Sequence, residues 1–134
     1  MPLLETDILV AAIDPEDPNH HVARRIIEEG RVHLSPYALI ELDLLIRSNI
    51  IKVRDYSKFW SKIEELLKRF KIRMVKVRPL HFIKAYELRR NYELTYFDSL
   101  HAATAIIESL ELISFDAKAY STIRGLKYKH PSLL

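Results

Sequence analysis

What most constrains this chain is an alternation: short apolar runs without helical spacing are separated by longer segments in which apolar residues return every three or four positions. Four segments read as strands: Leu3 to Ala12, an apolar run broken only by Glu5-Thr6-Asp7, then Arg31 to Leu34, Ile72 to Val77 and Leu112 to Phe115. Between them lie helical patterns. Val22, Ile26 and Ile27 share a face until Gly30 stops it, and Ser35-Pro36 caps a helix that runs through Ile46. Tyr56 to Phe70 is the clearest amphipathic helix, Pro79 opens another, and Thr95 starts one through Leu110. Tyr120 and Ile123 mark a short last helix ended by Gly125.

Strands that alternate with helices need crossovers, and crossovers place helices on both faces of a parallel sheet. The expected fold is therefore α/β, a three-layer α/β/α sandwich around a mostly parallel sheet of four or five strands. The 134 residues fit one domain, residues 1–134, with 49% apolar residues to close its core. No apolar run approaches the length that spans a bilayer, and the N-terminus lacks a basic, cleavable leader. The absence of cysteine removes disulfides and thiolate metal sites and makes the cytoplasm the expected compartment. A net charge of +3 permits nucleic-acid binding without demonstrating it.

In an open parallel sheet ligands bind beyond the carboxyl ends of the strands. Glu5 and Asp7 fall at the end of the first strand and Asp116 at the end of the strand that closes at Phe115. Asp98 stands in the first turn of a helix, and Glu41 lies about two turns into the helix after the second strand. Acids brought together in this way repel unless a cation joins them. Oxygen ligands without cysteine or a histidine-rich spacing select Mg²⁺ or Mn²⁺ over zinc. Such an ion activates water and stabilises a leaving oxygen, so phosphodiester hydrolysis is the chemistry expected.

Each acid also has an ordinary explanation. Asp98, three residues after Thr95, completes a capping-box spacing; Asp116 suits a turn after a strand; Glu41 suits a solvated helix face. Asp14, Glu16 and Asp17 need no reason beyond their Pro-rich loop. His101 shares a helix face with Asp98 but lacks the partner segment of a His/Glu metal site, which makes it a packing or supporting residue. The basic residues from Lys58 to Arg78 are mainly solvent contacts, a minority of which suit an RNA backbone.

Taken in order, these segments resemble the PIN-domain nucleases, a family that includes the VapC toxins of prokaryotic toxin-antitoxin pairs. Leu4-Glu5-Thr6-Asp7-Ile8-Leu9-Val10 looks like the first motif, Ser35-Pro-Tyr-Ala-Leu-Ile-Glu41-Leu like the second, Leu94-Thr-Tyr-Phe-Asp98-Ser-Leu-His-Ala-Ala103 like the third, and Leu112-Ile-Ser-Phe-Asp116 like the fourth. The resemblance covers nearly the whole chain. It implies a metal-dependent endoribonuclease, with RNA as substrate, a small antitoxin as partner, and a homodimer. One position departs from the pattern: Glu5 stands where the family has its first Asp, and Asp7 where it has Asn or Ser. Read as one strand, the two side chains point the same way, and both are expected to contribute. A catalytically silent module that binds RNA or protein is the alternative. A phosphatase on another α/β scaffold ranks lower, because the first strand offers Glu-x-Asp rather than Asp-x-Asp.

Overall fold

A computed structural model describes all residues, 1–134. Its centre is a five-stranded sheet in the order β3-β2-β1-β4-β5, with every neighbouring pair parallel. The strands are β1 (Pro2–Leu4), β2 (His33–Leu34), β3 (Arg73–Met74), β4 (Glu111–Ile113) and β5 (Tyr128–Lys129). Seven α-helices connect them: α1 (Thr6–Ile13), α2 (His20–Glu28), α3 (Pro36–Arg47), α4 (Tyr56–Arg69), α5 (Pro79–Asn91), α6 (Tyr96–Glu108) and α7 (Ala117–Tyr120).

The period-2 geometry of the strands divides the apolar residues between two cores. Leu4, Leu34 and Ile113 face one core, which is closed by residues of α1, α2, α3 and α4 such as Ile8, Ile27, Leu42 and Ile63. Leu3 and Leu112 face the other, closed by α5, α6 and α7 through Ala85, Leu88, Leu100 and Tyr120. This is the expected three-layer α/β/α arrangement. The alanines of α6, Ala102, Ala103 and Ala105, are buried and allow that helix to lie close against its neighbours.

The first strand is shorter than its apolar run suggests. Leu3 to Ala12 is not one strand: β1 ends at Leu4, Glu5 is the N-cap of α1, and the rest of the run is helix. Ile8, Leu9, Ala11 and Ala12 are all buried, so α1 lacks the polar face by which a surface helix is recognised. The reading of Ile72 to Val77 as a strand also contracts, to the two paired residues of β3 at the sheet edge. Ile123 lies beyond the short α7, in the turn that Gly125 enters with a positive φ of 85°. The fifth strand is a two-residue pairing of Tyr128 and Lys129 with Leu112 and Ile113, too short to leave a periodic signal.

The strand order sets the site. Chain connections leave β1 toward β2 on one side and reach β4 on the other, so the crevice beyond β1 and β4 is the switch point at which such sheets bind ligands.

Candidate active site

Glu5 follows the last residue of β1, and Ser114, Phe115 and Asp116 follow β4. These neighbouring strand ends bring together groups more than a hundred residues apart in sequence. Ser114 Oγ lies 2.7 Å from Asp7 Oδ2 and 3.2 Å from Glu5 Oε2. A serine hydroxyl has one proton, and the shorter contact assigns it to Asp7. The Phe115 amide donates to the same Asp7 Oδ2 at 2.9 Å. Asp7 Oδ1, in contrast, is buried without any hydrogen-bond partner.

Glu5 is held on both oxygens. Its Oε1 caps α1 by accepting from the Asp7 amide at 3.1 Å, and its Oε2 accepts from the Tyr120 hydroxyl at 2.7 Å. The Tyr120 oxygen also lies 3.2 Å from Asp98 Oδ1, which ties α6 into the cluster. Thr95 caps the Asp98 amide at 3.2 Å, as the capping-box spacing suggests, but the Asp98 carboxylate contacts Tyr120.

Glu41 enters from α3. Its Oε1 accepts from the Thr6 hydroxyl and lies 2.8 Å from His101 Nε2 on α6. The other ring nitrogen, Nδ1, lies 2.7 Å from Ser35 Oγ. Ser35 occupies the N-cap position of α3, yet its side chain makes no cap hydrogen bond, because it is engaged by the imidazole. Ligand atoms of Glu5, Glu41 and His101 lie within 4.8 Å of one another.

Asp116 stands apart from this network. Its Oδ1 caps the short α7 through the Ala119 amide at 3.0 Å, and only its backbone amide reaches Ser114 Oγ. All five sequence-selected acids nevertheless line one groove, Glu5, Asp7, Glu41 and Asp98 within it and the exposed Asp116 at its rim. Asp17 lines it too, although its loop composition gives no reason to select it. The supporting hydroxyls of Thr6, Ser114 and Tyr120 carry no motif signal of their own. Thr6 and Ser114 stand out in the sequence only as polar residues inside otherwise apolar stretches.

The electrostatics follow from burial. Desolvation raises the Asp7 carboxyl to about 7, assisted by the neighbouring charge of Glu5 and opposed by Ser114 and Phe115. Burial likewise raises Glu5, against the pull of His101 and Tyr120, and raises Asp98. For Glu41 burial is outweighed by the hydrogen bond and charge of His101 and by Thr6, so its carboxyl is held below the usual range. The same contact raises His101 above its ordinary value despite full burial. The Tyr120 hydroxyl is pushed far upward by burial and by the acids around it, and stays protonated as a donor.

This arrangement fits a hard divalent cation. The donors that face the groove are carboxylate oxygens, several are destabilised as anions, and one buried oxygen, Asp7 Oδ1, has no donor. His101 Nε2 lies against Glu41 Oε1, and with Glu5 the two form a group whose ligand atoms are close enough to hold an ion.

Residues 3–124 match the PIN domain family. The chain belongs to that family. Solved structures agree on the fold of this PIN domain. VapBC2 from Rickettsia felis, bound to a DNA fragment from its promoter, is 21% identical, with a TM-score of 0.75 over 96% of this chain and 97% of that one. FitAcB from Neisseria gonorrhoeae is 19% identical, with a TM-score of 0.73 over 100% of both chains. PAE2754 from Pyrobaculum aerophilum is 16% identical, with a TM-score of 0.61 over 98% of this chain and 90% of that one. At these identities the likeness is one of fold. No curated protein matches the sequence significantly. No helix of this PIN domain is long and apolar enough to cross a membrane.

Proposed function

We propose that this PIN domain is a divalent-metal-dependent endoribonuclease. The observation that carries the proposal is the buried, partnerless Asp7 Oδ1 inside a groove that Glu5, Glu41, Asp98 and Asp116 also line. Mg²⁺ or Mn²⁺ held by Asp7, Glu5, Glu41, Asp98 and Asp116 would supply an activated water and charge neutralisation at the scissile phosphate. Within that set the roles differ. Asp7 presents a fixed free oxygen, because Ser114 and Phe115 hold its other one. Each oxygen of Glu5 accepts one protein donor, which aims the carboxylate and leaves it a further lone pair on each oxygen for the ion. Thr6 and His101 keep Glu41 ionised and aimed, and Tyr120 bridges Glu5 and Asp98. Asp116, exposed at the rim, caps α7 with Oδ1 and keeps Oδ2 for the ion.

The test is incubation of the purified protein with a broad RNA panel and Mn²⁺ or Mg²⁺, with and without chelator. Cleavage that the chelator abolishes and that Asp7→Asn removes is the expected result. Absence of cleavage by the wild type across the panel favours a silent binding module.

Two partners extend the proposal. The similar VapBC2 structure is a complex, and a solved Klebsiella pneumoniae structure that this chain resembles is described as a toxin-antitoxin complex. We propose by analogy that a small antitoxin covers the groove, which predicts growth arrest on expression without that partner. A second copy of the chain is proposed to cover the exposed apolar residues of α5, where Ile83 and Tyr86 are 63% and 60% exposed.

A further inference from the structure

The acid groove does not end at its carboxylates. It adjoins a second depression through Val10 and Ile51, and that depression continues into a third through Ile13, Pro15 and Lys62. The second and third depressions lie along α4, with α1 facing it in both and α2 in the third, and the acid groove meets the second at the α1 wall.

Along this channel the sign of the walls reverses. Beyond the acids come Lys52, Arg54, Lys58 and Lys62, followed by Arg24, Arg25 and Arg69. Of these, Arg24 alone has an ion-pair partner, Glu28 at 3.3 Å. Four acids share the walls with these seven cations: Asp14 and Asp55 accept from the Glu16 and Lys58 amides, each at 3.0 Å, Glu28 pairs with Arg24, and Glu65 has no ion-pair partner. Lys58, Lys62 and Arg69 are spaced by four and seven residues, which places them on one face of α4, about 6 and 10 Å apart along its axis.

The far end concentrates charge further. Arg24 and Arg69 come from different helices, and both guanidiniums lie over the Phe70 ring, at 5.1 and 5.2 Å from its centroid. Glu28 offsets part of the Arg24 charge at 3.3 Å, while Arg69 has no ion-pair partner and leaves a guanidinium fork open to a phosphate.

We infer that this channel binds the sugar-phosphate backbone of a single-stranded RNA, leading it from the carboxylate cluster along α4 to the Arg24/Arg69 pair. The inference rests on the ribonuclease reading for the identity of the polymer. Continuity with the acid groove favours RNA over an acidic peptide: a strand cut at the carboxylates must leave along some wall, and this one is cationic and largely unpaired. The acids mark the position of cleavage, and the cations supply affinity without sequence preference.

The experiment compares the wild type with a Lys58→Gln/Lys62→Gln/Arg69→Gln variant, and with a control variant carrying Lys84→Gln, Arg90→Gln and Lys127→Gln, none of which lines the three depressions. Fluorescence anisotropy follows a labelled single-stranded RNA long enough to span the channel, and a labelled trinucleotide, as a function of salt. For the long RNA the channel variant should bind roughly tenfold or more weakly, and its slope of log affinity against log salt should fall by about 2, as expected for three lost phosphate contacts. Trinucleotide binding and the control variant should be unchanged. An unchanged salt slope in a folded channel variant overturns the inference, and so does an equal loss in the control. Binding is read without cleavage, so the outcomes separate. A wild type that binds through the channel but cuts nothing sinks the ribonuclease reading alone; a wild type that cuts, with a channel variant of unaltered affinity, sinks the channel alone.

Discussion

His101 on α6 and Glu41 on α3 meet at 2.8 Å, and each favours the charged form of the other. The imidazole is fully buried and the carboxylate side chain is 21% exposed, so one face of the contact opens to the groove. Ser35 and Thr6 complete it, linking α3, α6 and the start of α1 around one pair.

Replacing His101 with Gln should therefore destabilise the fold by about 1–3 kcal/mol, the range for a buried polar group that loses a partner. The loss should depend on pH. Glu41 is depressed below its ordinary 4.5, so its contribution is full above that value and disappears as pH falls through the lower folded one. His101 is raised above its ordinary 6.5, so its contribution is full below that value and fades as pH rises through the higher folded one. Thermal melts should show the largest difference between wild type and H101Q between pH 4.5 and 6.5. A difference that is flat from about pH 4 upward, on the order of thermal-melt error, removes the pair from the stability of the fold.

Asp7 behaves in the opposite sense for an acid. Its carboxyl is raised from 3.8 to about 7, so the metal-free protein is favoured with Asp7 protonated. Stability from this group is full below 3.8 and lost as pH rises through about 7. The ceiling on that loss is about 4 kcal/mol, at roughly 1.4 kcal/mol for each tenfold change in proton affinity. At about pH 8 in chelator, beyond the range in which the raised carboxyl holds its proton, Asp7→Asn should melt higher than the wild type. Adding Mn²⁺ should raise the wild-type melting temperature and leave D7N nearly unmoved. Equal stabilisation of both proteins by Mn²⁺ would place the ion elsewhere.

Asp116 offers a separation of roles, because asparagine keeps an oxygen able to cap α7 while losing the charge. Asp116→Asn should keep its melting temperature within the effect of about 0.5 kcal/mol typical of surface changes, while RNA cleavage falls at least severalfold. Full cleavage together with an unchanged melt reduces Asp116 to a turn residue.

Ile83 and Tyr86 project from α5 into solvent. Light scattering after gel filtration should report a dimer for the wild type and a monomer for Ile83→Glu/Tyr86→Glu, with the far-ultraviolet spectrum unchanged. A wild type that is monomeric at micromolar concentration leaves that face without a second copy.

The central sheet, its longer helices and the candidate site acids are legible in the sequence because each rests on local pattern. The spacing of three and four in Tyr56 to Phe70, the proline openings of α3 and α5, and acids just past apolar runs are all properties of neighbouring residues. The Glu5 to Asp7 segment reads as strand for the same reason. Buried helix α1 has no polar face, so periodicity cannot separate it from the strand before it. Edge strands of two residues, β3 and β5, depend on pairing with a neighbour rather than on a pattern of their own.

By itself, then, the sequence determined the class of fold and the strand ends at which acids would gather, since hydrophobic spacing and capping act over a few residues. Tertiary structure decided what each acid does there. Ser114 and Phe115, more than a hundred residues away, hold one oxygen of Asp7 and leave the other free; His101 and Thr6 hold the Glu41 carboxyl below its usual range against burial. Burial and distant partners control charge, and both exist only once the sheet order has brought β4 beside β1.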